Sequence, residues 1–125
     1  MCETNRKPVV LAVDDAPVSL QMIAAALNDQ YQVVAFTKPT MLKDILEKVK
    51  PDLFLLDYRM PELSGFDLIP VIRGYEAHRE TPIIILTALG TMEKVHSAVG
   101  FGVCDIIVKP FEPALLRERI ARQLR

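Results

Sequence analysis

The stretch Pro51–Leu68, PDLFLLDYRMPELSGFDL, decides the fold. Its opening run, Leu53 to Leu56, is apolar at every position and stops at an acid, Asp57. A strand with one wet face alternates apolar and polar residues. A run without alternation suits a strand buried on both faces of a parallel sheet. Beyond Asp57, Leu68, Val71, Ile72 and Tyr75 recur at helical spacing. Pro70 sits within that stripe and should kink the helix if it lies more than one turn inside it.

The same unit recurs on either side. Upstream, Val9–Val13 (VVLAV) ends in Asp14 and Asp15, and Tyr31 to Phe36 is a second apolar run. Downstream, Ile83 to Leu86 and Ile106 to Val108 complete five expected strands. Helical stripes separate and follow them: Leu20, Ile23, Ala24 and Leu27; Leu42, Ile45, Leu46 and Val49; Met92, Val95 and Val99, with Gly102 as a stop; and Leu116, Ile120 and Leu124. Pro17, Pro39 and Pro113 stand near helix starts, where a missing N–H costs little. Strand and helix alternating in this way predict an α/β fold, a three-layer sandwich with a parallel sheet between helices. One domain spanning residues 7–125 is expected, with residues 1–6 as a flexible tail.

Composition excludes several classes. The chain has 125 residues, half of them hydrophobic and a quarter charged, with a formal net charge of −1. That balance argues against disorder and gives no basic field for nucleic acid. No apolar run approaches the roughly 20 residues of a membrane span. Cys2 and Cys104 form no metal or redox pattern, and Cys104 should lie just before a strand. Two reduced thiols in a cytoplasmic protein are expected.

The polar residues that stand out all follow apolar runs. Asp14 and Asp15 follow the first, Asp57 the third, Thr87 the fourth and Lys109 the fifth. In an open parallel sheet, ligands bind at that carboxyl edge, where strand order reverses. If the order is the flavodoxin-like 2-1-3-4-5, the three acids meet in one crevice. Packed carboxylates repel, so either some stay protonated or a cation compensates. An all-oxygen donor set suits a hard divalent ion such as Mg²⁺. With a Lys charge and a Thr hydroxyl added, such a set can transfer phosphoryl groups. Singly, each residue has a plain role: an acid pair caps a helix, an acid ends a turn, a Lys before Pro sits in a solvated loop. Their shared edge and order are what argue for a site.

The segments VLAVDDAPVS, PDLFLLDYRMPELSGFDL, PIIILTAL and GVCDIIVKPF resemble the response-regulator receiver family. Together they span nearly the whole chain from Val9 onward. The resemblance implies that Asp57 is the phosphoacceptor and that Asp15 contacts Mg²⁺ directly, with Asp14 acting through water. It implies that the backbone carbonyl of Arg59 completes the metal shell, that Thr87 is the switch hydroxyl, and that Lys109 pairs with the phosphate. It also implies a cis peptide before Pro110, aiming Lys109 into the site, and a small residue, Ala88, that leaves the site open. The implied partners are a sensor histidine kinase or histidine phosphotransfer protein as donor, and an output domain, target protein or second copy of the chain as receiver of the signal. The signal would leave through the fourth helix, fifth strand and fifth helix. Such a domain catalyses only its own phosphorylation and dephosphorylation.

Two departures from the family pattern carry expectations. Ile106 stands where many members have an aromatic residue that swings inward; the favoured expectation is a switch that works through the loop alone, the alternative a weakened or altered output in a receiver that mainly relays phosphate. Arg59 and Leu89 flank the expected path of the hydrolytic water, and neither suits orienting it, so a long-lived phosphoryl group is expected. The main alternative function is a pseudo-receiver, an interaction module of the same fold that is never phosphorylated; such domains usually lack one of the acids or the Lys. A phosphohydrolase of the haloacid-dehalogenase type would need D-x-D after the first strand, where this chain has DDAPV. Neither nucleotide-binding glycine motif is present. His78 and His96 are expected at the surface.

Overall fold

The computed structural model describes residues 7–61, 63–88 and 103–124. Five strands form one sheet: β1 (Val9–Val13), β2 (Gln32–Phe36), β3 (Leu53–Asp57), β4 (Ile83–Ala88) and β5 (Asp105–Lys109). Their order is β2-β1-β3-β4-β5, and every neighbouring pair is parallel. The expected topology is therefore present. The stripe at Met92, Val95 and Val99, its stop at Gly102, and Cys2, Leu89 and His96 lie outside the described residues.

Side-chain alternation along the three inner strands builds two cores. Val10, Ala12, Leu53, Leu55, Ile84 and Leu86 face one side, where they pack with helix α1 (Pro17–Leu27) and the C-terminal helix, α4 (Pro113–Gln123). Leu11, Val13, Phe54, Leu56, Ile83 and Ile85 face the other, against Leu42 of α2 (Leu42–Leu46) and Leu68, Ile69 and Ile72 of α3 (Gly65–Arg73). All the apolar positions of β1, β3 and β4 named here are essentially buried, which explains why those runs carry no alternation. Pro17 and Pro113 each sit at a helix N-terminus as expected.

Three local expectations need correction. The second and fifth apolar runs were expected to be buried on both faces, but β2 and β5 are the two edge strands, with only Phe36 and Ile107 buried. The second helical stripe is α-helical only from Leu42 to Leu46, in a short α2 preceded by a 3₁₀ turn, Pro39–Met41, which leaves Val49 beyond it. His78 is not a surface residue: it is 3% exposed. Its ring meets the edge of Phe54 at 5.1 Å, and Nδ1 lies 2.9 Å from Thr81 Oγ1. Burial, with Lys50 and Arg73 nearby, holds its pKa below the ordinary value. Arg73 Nη1 donates to the His78 and Thr81 carbonyls at 2.8 and 2.7 Å, fastening the path from α3 into β4. Hydrogen bonds from a charged donor of this kind contribute about 1.5–3 kcal/mol each.

Helix α3 runs through Pro70, which faces solvent and withholds the N–H that would meet the Phe66 carbonyl. Its start is secured by a capping box, with Ser64 Oγ accepting from Phe66 N and Asp67 accepting from Ser64 N. Losing such a cap typically costs about 1 kcal/mol. The box matters to the site because Gly65 N also donates to the Tyr58 carbonyl at 3.0 Å, folding the loop after Asp57 back on itself.

Candidate functional site

The carboxyl ends of β1, β3, β4 and β5 bring the expected residues together. Asp57 is the last residue of β3 and Lys109 the last of β5, while Thr87 and Ala88 close β4. Asp14 and Asp15 follow β1 directly. One carboxylate oxygen from each of Asp14, Asp15 and Asp57 can be chosen so that all lie within 4.8 Å of one another. A cleft of about 210 Å³ opens beside them, lined by Asp57, Tyr58, Arg59, Thr87, Ala88 and Lys109. Tyr58 was not anticipated there; it follows Asp57 directly and turns an edge to Phe66 at 5.2 Å.

The two acids after β1 differ sharply in environment. Asp14 is 0% exposed, and both its oxygens are engaged: Oδ1 accepts from Ala16 N at 3.0 Å and Oδ2 from Lys109 Nζ at 2.7 Å. Asp15 is exposed. Lys109 Nζ also reaches Asp57 Oδ1 at 3.2 Å. The Lys109–Pro110 peptide is cis, as expected.

Burial pushes the Asp57 carboxyl up to about 7, from an ordinary value of 3.8. The charge of Asp14 adds to the rise, Lys109 opposes it by charge and hydrogen bond, and the nearby Asp15 carboxyl raises it again. Burial alone would lower the Lys109 pKa, but the hydrogen bond and charge of Asp14, then Asp57, outweigh it and hold the ammonium above its usual value. So Lys109 stays cationic, while the charge of Asp57 is so poorly compensated that its carboxyl is only about half ionised near neutral pH. A divalent cation would relieve that deficit, and the oxygen-only donor set fits a hard ion.

Thr87 is 1% exposed, and its hydroxyl donates to the Ala88 carbonyl at 3.3 Å. Ile106, opposite Ile85 in the sheet, is partly buried against the α3-side core. One further contact escaped the sequence: Ser19 Oγ, in the first turn of α1, lies 3.5 Å from Lys109 Nζ. Its place four residues after Asp15 was the only hint.

A family model described as the response regulator receiver domain matches residues 10–121. Among curated relatives, the cyclic di-GMP phosphodiesterase response regulator RpfG of Xanthomonas campestris pv. campestris is 33% identical over 92% of this chain and 31% of its own length. The phosphate regulon transcriptional regulatory protein PhoB of Pseudomonas aeruginosa is 33% identical over 95% of this chain and 52% of its own. The chain thus spans about half or less of these relatives. Among solved structures, the Vibrio cholerae chemotaxis protein CheY4 superposes with a TM-score of 0.87 at 30% identity, covering 94% of this chain and 99% of that one. None of the helices among the described residues is long and apolar enough to cross a membrane. With the sheet order, the edge that gathers the acids and the family match all agreeing, the chain belongs to the response-regulator receiver domains of two-component signalling.

Proposed function

We propose that this chain is a phosphoacceptor that takes a phosphoryl group onto Asp57 from a phosphohistidine, and that the receiver unit spans residues 7–125. The observation that carries the proposal is the convergence of Asp14, Asp15, Asp57, Thr87 and Lys109 on one cleft edge. A carboxylate oxygen of Asp57 attacks phosphorus, the P–N bond to the donor imidazole breaks, and an acyl phosphate forms. Lys109 lies within reach of the oxygens on which charge gathers, and Thr87 lines the same cleft with a hydroxyl. Mg²⁺, held by Asp14, Asp15, Asp57 and the Arg59 carbonyl, would supply the remaining positive charge for phosphoryl transfer. The exposed Asp15 suits direct ligation, and the doubly engaged Asp14 suits a role through water.

The donor in this reading is a sensor kinase or a histidine phosphotransfer protein. Val18 and Met22, exposed at 65% and 41% on α1, the helix that follows Asp15, offer apolar surface for it. The signal then leaves through the predicted fourth helix with β5 and α4, toward an output domain, a target or a second copy. Ile106 offers no ring to rotate, so motion of Thr87 and its loop carries the switch.

Incubation with a small acyl phosphate and MgCl₂, followed by intact mass, tests the proposal. One phosphoryl group should appear on the wild type and none on Asp57→Asn. An unmodified wild type would leave the chain as an interaction module without phosphate chemistry.

A second measurement concerns how long the phosphate stays. Arg59 is exposed at the cleft and carries no group suited to orienting an attacking water. Arg59→Asn or Leu89→Glu should speed dephosphorylation on the order of ten-fold, because positioning the water removes part of the barrier. If neither change raises the rate, Arg59 and Leu89 are not what sets the lifetime.

A further inference from the structure

Resting on that reading, we infer that Ser19 is a positioning residue for the reaction, acting through Lys109. An ammonium has three N–H donors. Around Lys109 Nζ stand three acceptors: Asp14 Oδ2 at 2.7 Å, Asp57 Oδ1 at 3.2 Å and Ser19 Oγ at 3.5 Å. The sheet pleat favours this grouping. Lys109 shares the parity of Ile107, and Asp57 that of Leu53 and Leu55, so both belong to the sheet face that α1 covers. Ser19 lies in the first turn of α1 and is partly buried.

A serine there has an ordinary use, since Ser near a helix start often bonds to the backbone. Among the described residues Ser19 Oγ makes no such bond; its one hydrogen-bond contact is with Lys109. Asp14 cannot adjust to replace it, because its other oxygen is held by Ala16 N. When a phosphoryl group occupies Asp57, the Lys109 ammonium must leave the Asp57 oxygen for a phosphoryl oxygen. Asp14 and Ser19 are the two contacts that can stay in place while it does. Ser19 therefore limits how far Nζ wanders during transfer and contributes little when no phosphoryl group is present.

The test is single-turnover phosphorylation by a small acyl phosphate with saturating Mg²⁺, over a range of donor concentrations. Ser19→Ala should lower the maximal rate three- to ten-fold and leave the half-saturating donor concentration and the thermal midpoint unchanged. Ser19→Thr, which keeps the hydroxyl, should restore most of the rate. A maximal rate for Ser19→Ala equal to that of wild type overturns the inference. So does an equal loss in the Thr variant, or a loss that follows a drop in the thermal midpoint. Failure of the wild type itself to gain phosphate at Asp57 would instead overturn the phosphoacceptor proposal, and the two results are separable.

Discussion

Asp57→Asn should make the domain more stable at pH 8 in the presence of a chelator, by about 2 kcal/mol, while abolishing phosphate uptake. The cause is the carboxyl pKa, which folding raises from 3.8 to about 7. Between those values the folded chain binds more protons than the unfolded one. The stability contributed by the neutral carboxyl is full below the unfolded value, declines as pH rises, and is lost by the folded value. At about 1.4 kcal/mol per pH unit, the interval sets a ceiling of about 4 kcal/mol on the penalty above pH 7. Asparagine keeps the shape and an accepting oxygen but removes the charge. Half the ceiling is expected because Lys109 loses one of its two carboxylate partners in the variant. For a domain of this size, 2 kcal/mol raises the thermal midpoint by roughly 6–12 °C. Unfolding curves at pH 8, 6 and 4.5 in EDTA decide the matter. The gain should shrink steadily toward acid; a gain independent of pH, or a loss at pH 8, would show that the buried carboxyl is not the source.

Divalent ion probes the same deficit from the other side. A cation bound among Asp14, Asp15 and Asp57 stabilises the folded chain by mass action and relieves the repulsion that asparagine also removes. Mg²⁺ at pH 8 should therefore raise the midpoint of wild type more than that of Asp57→Asn, which lacks both the charge and a ligand. The acid cluster is thus poised: without a cation it weakens the fold, and that weakness favours cation binding.

How far the sequence could be read follows from what each residue type can hide. The inner strands were legible because burial on both faces forces a run like DLFLL to be apolar throughout. The edge strand β2 has a similar composition, but QVVAF gives no sign that one side has no neighbour. Asp14, Asp57, Thr87 and Lys109 could be placed because a strand end is a fixed point. Ser19 could not, since its contact with Lys109 depends on how α1 packs over that edge, which is a tertiary fact. His78 failed for a related reason. A histidine between polar neighbours (EAHRE) looks solvated, and only Phe54 beneath it and the Arg73 clamp reveal that the turn folds inward.

Gly65 is legible in the sequence only as the end of the pattern DYRMPELSG, without a reason for the glycine, and Gly65→Ala should cost about 2–3 kcal/mol and impair phosphate uptake together. Gly65 opens α3, where alanine would ordinarily be the better helix former by about 1 kcal/mol at most. Space decides against it. An added Cβ would stand 2.7 Å from the Asp57 carbonyl oxygen, 3.2 Å from Ile85 Cδ1 and 3.3 Å from Leu56 Cβ. The side-chain atom can yield a little, but the carbonyl belongs to β3, which is paired with β1 on one side and β4 on the other. The helix start must move instead, against the Ser64–Asp67 capping box and the Gly65 N–H bond to Tyr58. Overpacking of this kind costs typically 1–3 kcal/mol, and the upper part applies here because the added Cβ meets a backbone oxygen held in the sheet. Any residual displacement falls on Asp57 itself. Gly74→Ala is the control: Gly74 has φ −70°, and its added Cβ would meet only Pro70 O at 3.3 Å and Val71 O at 3.4 Å. That change should be neutral or stabilise by up to about 1 kcal/mol. Urea midpoints of the two variants should therefore move in clearly different ways, and only the Gly65 variant should lose acyl-phosphate uptake; equal shifts would mean that the approach to Asp57 is not what requires glycine at position 65.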